Sequence, residues 1–366
     1  MVCYNVFMGF SLGIVGLPNV GKSTLFSALC ANKVDIQNYP FTTIDPNIGV
    51  VPVPDERLKF IHENLKSKKA VATTIEFYDI AGLVKGAHKG EGLGNQFLSQ
   101  IRNVDAIAHV VRCFDSGQIM HVSGAVDPIK DIEIVETELI LSDLELVDRK
   151  IRVLKIQAKT GDKKNSAKLT VCEKLYDHLS QGKLAIHFDF NLDEEELKAE
   201  LALLTIKPVL YIANVDETGN VDRVANIKDF STLKGFSVVP ICSKLELDLA
   251  EMDEASAREY REVSGIKQSG LASLTISGYE LLGLITFFTS NDKETHAWTI
   301  RKGTSVQRAA GKIHSDMEKK FIAAEVIHFD DLQNFPSLEA LKNKGLFHLE
   351  GKGYIVQNGD LIYIRI

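Results

Sequence analysis

Eight residues restrict this chain more than any others: Gly16-Leu17-Pro18-Asn19-Val20-Gly21-Lys22-Ser23, which fits the pattern G-x-x-x-x-G-K-[ST]. The apolar stretch 9–15 before them reads as a short buried strand. Thr24-Leu25-Phe26-Ser27-Ala28-Leu29 after them opens a helix. Strand, glycine loop and helix in that order make a phosphate cradle. Gly16 and Gly21 let backbone N–H groups turn inward, and the helix offers its positive end to the same anion. The loop from Asn19 through Val20 and Gly21 to Lys22, Ser23 and Thr24 is expected to wrap a nucleotide's phosphates. Lys22 would reach the β- and γ-phosphates, the Ser23 hydroxyl would ligate Mg²⁺, and Thr24 would lie beside the α-phosphate.

A cradle of this kind needs a parallel sheet behind it. Short, apolar, β-branched runs at 74–79, 105–111, 208–213 and 237–241 supply further strands covered on both faces. Helical patterns separate several of them, which predicts an α/β fold. The alternation breaks between about 130 and 205. There Leu139, Leu141, Leu144, Leu146, Val147, Ile151, Leu154 and Ile156 recur at three- and four-residue steps, followed by Leu169, Val171, Cys172, Leu175 and Leu179. Two antiparallel helices around a polar turn at 159–165 are expected. After about 283 the pattern changes again. A strand at 297–300, a helix over 305–321, a strand at 324–328 and a terminal hairpin turning at Asn358-Gly359 predict a small β-grasp unit.

The second half of a nucleotide site is legible at the ends of later strands. Asp79-Ile80-Ala81-Gly82 follows the strand at 74–79. Asp79 can hold Mg²⁺ through water, and the Gly82 N–H can meet the γ-phosphate. Thr42 and Thr43 lie twenty residues beyond the loop, and Thr43 is the favoured second protein ligand to Mg²⁺. Leu83 stands where many GTPases carry a water-orienting glutamine. Leucine has no hydrogen-bonding group, so intrinsic hydrolysis should be slow or another group must place the water. His88 and His121 are candidates for that task. A guanine-specific site would read N-K-x-D after the strand at 208–213. Here Asn214-Val215-Asp216-Glu217 stands in its place. The extra methylene of Glu217 displaces a carboxylate that bidentate guanine recognition cannot spare. ATP is therefore expected over GTP, with Ser243, in the loop 240–244, flanking the base.

These motifs together resemble the YchF/Obg-like ATPase family, within the Obg branch of translation-factor P-loop proteins. The resemblance rests on residues 16–24, 79–97, 109–114, 214–217 and 297–327 and covers nearly the whole chain after Met8. It implies a P-loop NTPase G-domain over 8–132 and 206–282, an inserted coiled-coil helical domain over 133–205, and a TGS domain of β-grasp type over 283–366. It also implies Mg²⁺-dependent ATP hydrolysis and ribosome binding. His121 aligns with the family histidine proposed to assist hydrolysis, which sets it above His88, and Lys22 and Gly82 complete the expected catalytic set. Asn19 matches the asparagine that binds a monovalent cation in some related GTPases, which makes K⁺ a candidate ion. Gly353, where aspartate is usual, departs from the family far from the nucleotide motifs.

Composition enters where partners are concerned. Of 366 residues, 42 are Lys or Arg and 49 are Asp or Glu, for a formal charge of −7, which argues against a globally basic nucleic-acid binder. Between Arg149 and Lys174, however, nine basic residues outnumber two acidic ones, and the acidic run 193–196 is expected to balance them at the hairpin base. A basic hairpin tip can approach rRNA phosphates. The five dispersed cysteines, without a CxxC, suit a reducing compartment. No apolar run is long enough to span a membrane, the N-terminal stretch lacks a signal peptide's basic start, and Met8 is an alternative start. A cytoplasmic location is expected. The expected function is a slow ATPase switch on the ribosome. A GTPase in ribosome assembly and a nucleotide-sensing ribosome- or RNA-binding adaptor are the alternatives.

Overall fold

The computed structural model describes residues 10–31, 47–80, 93–115, 126–158, 162–266, 268–335 and 337–366. Among the described residues two six-stranded sheets organise the chain. The first takes its strands in chain order from β1 (Ser11–Val15), β2 (Ile48–Pro52), β4 (Thr74–Asp79), β5 (Ala106–Arg112), β6 (Val209–Asn214) and β7 (Ser237–Ile241), with β3 (Ala70–Val71) diverted to the second sheet. Their spatial order is β2-β4-β1-β5-β6-β7. All neighbours are parallel except β2, which runs antiparallel on β4. The strands read from sequence fall within one residue or two of those observed. β1 and β5 are buried along their whole length, as strands covered on both faces must be.

Helices α1 (Lys22–Ala31), α2 (Glu56–Leu65) and α3 (Leu93–Arg102) precede the helical hairpin, which is formed by α4 (Pro128–Ala158) and α5 (Lys163–Ser180). The 31 residues of α4 make a rod of about 46 Å at 1.5 Å per residue. Asp162 starts α5 by accepting from Lys164 N at 2.9 Å. The hairpin is rooted more deeply than expected. α4 starts five residues before the anticipated border at 133, and Val135 and Leu139 pack into the core around β1. Further out, Val147, Ile151, Leu154, Cys172, Leu175 and Leu179 form its own seam. The chain returns through α6 (Glu195–Leu201), and α7 (Val221–Leu233), α8 (Ser243–Glu251), α9 (Glu254–Val263) and α10 (Gly270–Leu281) complete this half.

The second sheet is formed by β8 (Leu284–Ser290), β9 (Thr295–Arg301), β10 (Ala323–Ile327), β11 (His348–Glu350) and β12 (Leu361–Arg365), ordered β11-β10-β12-β8-β9-β3. Its short helices are α11 (Val306–Ile313), α12 (Ser315–Lys319), α13 (Phe329–Asn334) and α14 (Leu338–Asn343). Two expectations fail here for local reasons. The helix foreseen over 305–321 breaks at His314, whose backbone is extended (φ −161°, ψ 138°) and whose Nδ1 accepts from Asp316 N at 3.1 Å, capping α12. The terminal hairpin does not form either. Ile355 makes a lone bridge to Ser305, and β12 pairs instead with β10 and β8. The Asn358-Gly359 turn is real, with Gly359 at φ +103°, but it is tied to β8. Gly359 N donates to Thr286 O at 2.8 Å, and Asn358 Oδ1 accepts from Thr286 N at 3.2 Å.

The sixth strand of this sheet comes from the other half of the chain. β3 lies parallel to β9, and Thr295 N donates to Lys69 O at 2.8 Å. α2 packs Leu58 and Ile61 against Phe288, Ala297, Ile327 and Leu361. The excursion between β2 and β4 is therefore part of the C-terminal unit's core.

Candidate nucleotide site

The C-terminal ends of β1, β4, β5, β6 and β7 open on one side of the first sheet, where open α/β sheets place their ligands. Between β1 and α1 the chain makes the turn foreseen from sequence. Gly16 has φ +156°, and a side chain there would press on Val110 O at 2.5 Å. Gly21 has φ +97°, and a Cβ there would run into the Asn214 amide. Asn19 adopts the left-handed region at φ +63°, which asparagine tolerates better than most residues. Lys22 folds back over the loop, its Nζ donating to Gly16 O at 3.1 Å and Leu17 O at 2.8 Å. Burial pushes its pKa down to about 8, partly opposed by the Asp79 carboxylate. Burial in turn raises the Asp79 pKa, and Lys22 opposes that. Ser23 and Thr24 stand on the first turn of α1, with Ser23 exposed.

A cavity of about 820 Å³ runs from this loop to the ends of β6 and β7. Asn19, Gly21, Lys22, Ser23 and Thr24 line one end, and Asn214, Val215, Glu217 and Ser243 line the other. Val20 is buried behind the wall and offers its carbonyl to it. Asn214 has a role that the sequence did not reveal. Its Nδ2 donates to Val20 O at 2.8 Å, and its Oδ1 accepts from Ser243 N at 3.1 Å. The amide thus ties the phosphate loop to the start of α8. Val215 is buried with its N–H on Ile241 O at 2.9 Å, while Glu217 is exposed on the rim. Among the described residues the Ser243 hydroxyl, buried in this cavity wall, has no hydrogen-bond partner, and such a group calls for a ligand or water. Gly82, His121 and Thr43 lie outside the described residues, as do Leu83 and His88.

Some lining residues were not foreseen as site residues, Phe114 and Asp115 among them. Phe114 and Asp115 follow β5 into the cavity, and Arg112 stacks its guanidinium 4.6 Å from the Phe114 ring centroid. Lys244 completes the loop after β7. The signal available for Phe114 was its place just beyond a strand's C-terminal end. Behind the phosphate loop His109 is fully buried, and burial, helped by the Lys22 charge, pushes its pKa down to about 3. It is a neutral packing residue beside Tyr211.

The donor set suits a hard divalent ion: the exposed Ser23 hydroxyl, the Asp79 carboxylate, and phosphate oxygens brought by a nucleotide. Among the described residues no cluster of three or more His, Cys, Asp or Glu could hold a metal alone, and a Mg²⁺–nucleotide site does not need one.

A glycine loop between strand and helix, its lysine over a carboxylate from the neighbouring strand, and a cavity long enough for a nucleotide define a P-loop nucleoside triphosphatase. A family model described as a 50S ribosome-binding GTPase matches residues 11–150, and the YchF-GTPase C-terminal model, described as a protein of unknown function, matches 284–366. A relative from Escherichia coli O157:H7 named ribosome-binding ATPase YchF is 47% identical, over 97% of this chain and 98% of its own. One of the same name from Bacillus subtilis (strain 168) is 46% identical over 98% and 99%. The solved structure of the Schizosaccharomyces pombe YchF GTPase superposes with a TM-score of 0.87 at 37% identity, covering 98% of each chain. The chain belongs to the YchF family. A GTP binding protein from Pyrococcus horikoshii OT3 shares the fold at 20% identity, with a TM-score of 0.61 over 97% of this chain and 99% of that one.

Proposed function

We propose that this protein binds ATP with Mg²⁺, hydrolyses it slowly to ADP and phosphate, and acts as a nucleotide-controlled switch on the ribosome in the cytoplasm. The observation that carries the reading is the continuous cavity joining the Lys22 loop to a base wall of Asn214, Val215 and Glu217 instead of N-K-x-D, with a Ser243 hydroxyl that no described residue engages. Lys22 steadies the β- and γ-phosphates, the loop N–H groups from Asn19 to Thr24 orient them, and the Gly82 N–H meets the γ-phosphate. Ser23, Thr43 and Asp79 are the residues that would hold Mg²⁺. When bound, the ion neutralises charge on the transferring phosphoryl group. With Leu83 unable to orient water, His121 or K⁺ near Asn19 takes that part. The names of the relatives support ATP as substrate and the ribosome as partner.

The division into 8–132 with 206–282, 133–205 and 283–366 is retained, with α2 and β3 assigned to the core of the last unit. The hairpin tip is the rRNA contact. Its charge is partly neutralised, since Lys164 pairs with Glu196, Lys168 with Glu200 and Lys155 with Glu173 at 3.0–3.1 Å. Arg149, Lys163 and Lys174 have no ion-pair partner among the described residues and are the ones left to meet phosphates. The GTPase reading has its own support in the fission-yeast relative, which is named a YchF GTPase. Titration with labelled ATP and GTP decides between them: ATP should bind at least tenfold tighter, and the reverse order overturns the ATPase. Turnover unaffected by Lys22→Ala would remove the enzymatic claim. Ribosome co-sedimentation unaffected by Lys163→Glu with Lys174→Glu would remove the tip contact.

A further inference from the structure

A second cavity, of about 740 Å³, lies at the opposite end of the parallel strands from the phosphate loop, where the first sheet meets the C-terminal unit. Phe10, Asp105 and Pro208 bring the entries to β1, β5 and β6 to one wall, and the end of β9 with α11 forms the facing wall. Five cations line it: Arg102, Lys207, Arg301, Arg308 and Lys312. Among the described residues Asp105 is the one acidic group lining it, and it is engaged by Arg301 at 3.4 Å. Neither Arg308 nor Lys312 forms an ion pair among the described residues, and Arg102 forms none at close range, although its charge reaches the buried Asp143 carboxylate behind the wall and favours its ionised form.

The charges are held, not merely present. Lys207 Nζ donates to Arg102 O at 3.1 Å and also to Val104 O. Arg102 is positioned by Ala202 O at 3.0 Å. Arg301 and Lys312 lie over the Phe10 ring, with Cζ and Nζ 5.2 and 5.8 Å from its centroid. Arg308 and Lys312 are one helical turn apart on the exposed face of α11, an arrangement that disfavours a helix by like-charge repulsion. A concave site with low-dielectric walls and one sign of charge focuses its field on anions. The volume falls in the range of small-molecule sites, roughly 300–1,000 Å³.

We propose that this cavity binds a multiply phosphorylated small molecule. Arg102, Arg308 and Lys312 take the phosphates, Lys207 and Arg301 set the field from the floor and rim, and the apolar surface of Phe10, Ile206 and Ile300 receives the remainder of the ligand. Among the described residues the site shares no lining residue with the nucleotide cavity.

Inorganic tripolyphosphate is the probe, titrated calorimetrically into full-length Lys22→Ala protein so that the phosphate loop contributes little. One binding site should remain. Adding Arg308→Ala and Lys312→Ala should weaken it at least tenfold, while the same pair in the wild-type background leaves ATP turnover and the melting temperature unchanged. Loss of binding on Lys22→Ala alone assigns the probe to the phosphate loop and overturns the proposal. Binding indifferent to the Arg308 and Lys312 pair overturns it too. A short RNA duplex is titrated in parallel: if the pair abolishes RNA binding and leaves tripolyphosphate untouched, the cavity is a nucleic-acid surface and the small-molecule assignment falls.

Discussion

The Asn214 side chain joins Val20 to Ser243: one amide donates to a phosphate-loop carbonyl and accepts from the first N–H of α8, 194 and 29 residues away in sequence. Both bonds are buried. Removing a partner from a buried polar group costs about 1–3 kcal/mol. Asn214→Ala should therefore lose about 2–4 kcal/mol in urea unfolding and weaken ATP binding through a loosened loop. Asn214→Asp keeps the acceptor for Ser243 N but turns an anion toward Val20 O. It should be no better than alanine. An Asn214→Ala protein as stable as wild type would show that the staple contributes nothing.

Lys22 makes nucleotide affinity depend on pH. Its pKa is lowered to about 8 by burial, and phosphates favour the charged amine. Below pH 8 the charge is already present. Above it, binding must take up a proton, so ATP affinity should fall by up to about tenfold per pH unit. Calorimetry between pH 7 and 9.5, in buffers of different ionisation enthalpy, measures that uptake directly. Lys22→Arg keeps its charge throughout and should remove the dependence. A flat profile in the wild type would contradict the buried state of the amine.

His109 sets a pH limit on stability. Its folded pKa is lowered to about 3 against an ordinary 6.5, so the unfolded chain takes up the proton first. The stabilisation is complete above pH 6.5 and is lost as pH falls from 6.5 toward 3. At pH 5 the loss from this group is about 2 kcal/mol, at 1.36 kcal/mol per unit. Carboxylates contribute slopes of their own, so the readout is the difference between wild type and His109→Phe in denaturant unfolding at pH 7 and pH 5. The variant should have the shallower slope. Equal slopes would place His109 in contact with water.

Base choice should follow Val215 and Glu217. Glu217 is exposed on the cavity rim, and Val215 lines the same wall. Restoring lysine and aspartate with Val215→Lys and Glu217→Asp should move the ATP-to-GTP affinity ratio toward GTP by at least tenfold, read by titration with labelled nucleotides. An unchanged ratio would assign base choice to Phe114 and Lys244, which line the same space.

What the sequence disclosed follows from where the chemistry sits along it. The phosphate loop occupies eight consecutive residues between a strand and a helix, so its pattern carries its geometry. Asp79 and Asn214 were readable because they end apolar runs. Roles that depend on folding were not. Nothing local says that Asn214 will spend its amide on Val20 and Ser243, or that His109 will be sealed behind Lys22. β3 has two residues and no periodicity to detect, and it is a strand only because β9 pairs with it. His314 looks like helix interior until its ring caps α12. The Asn358-Gly359 signal was correct about the turn and wrong about the partner, because β8 outcompetes a local hairpin for those hydrogen bonds.

The diverted strand β3 has a mechanical consequence. α2 and β3 lie in the chain between β2 and β4, which ends at Asp79, yet their core belongs to the second sheet. A hydroxyl chain reinforces the joint: His62 Nδ1 to Ser67 Oγ at 2.7 Å, Ser67 Oγ to Thr295 Oγ1 at 2.8 Å, and Thr295 Oγ1 to Ser290 Oγ at 2.8 Å. Arg57 adds a bond to Asn358 Oδ1 at 3.0 Å. Two units sharing a strand and a helix should unfold together. Ile61 is fully buried in that shared core, so Ile61→Ala should cost about 2–5 kcal/mol. Calorimetry should still record one transition, shifted as a whole, with the ATP-binding signal lost at the same temperature as the Trp298 fluorescence of β9. Two separated transitions, with nucleotide binding outlasting the β9 signal, would mean that the excursion is only draped over the C-terminal sheet and does not couple it to the sheet that ends at Asp79.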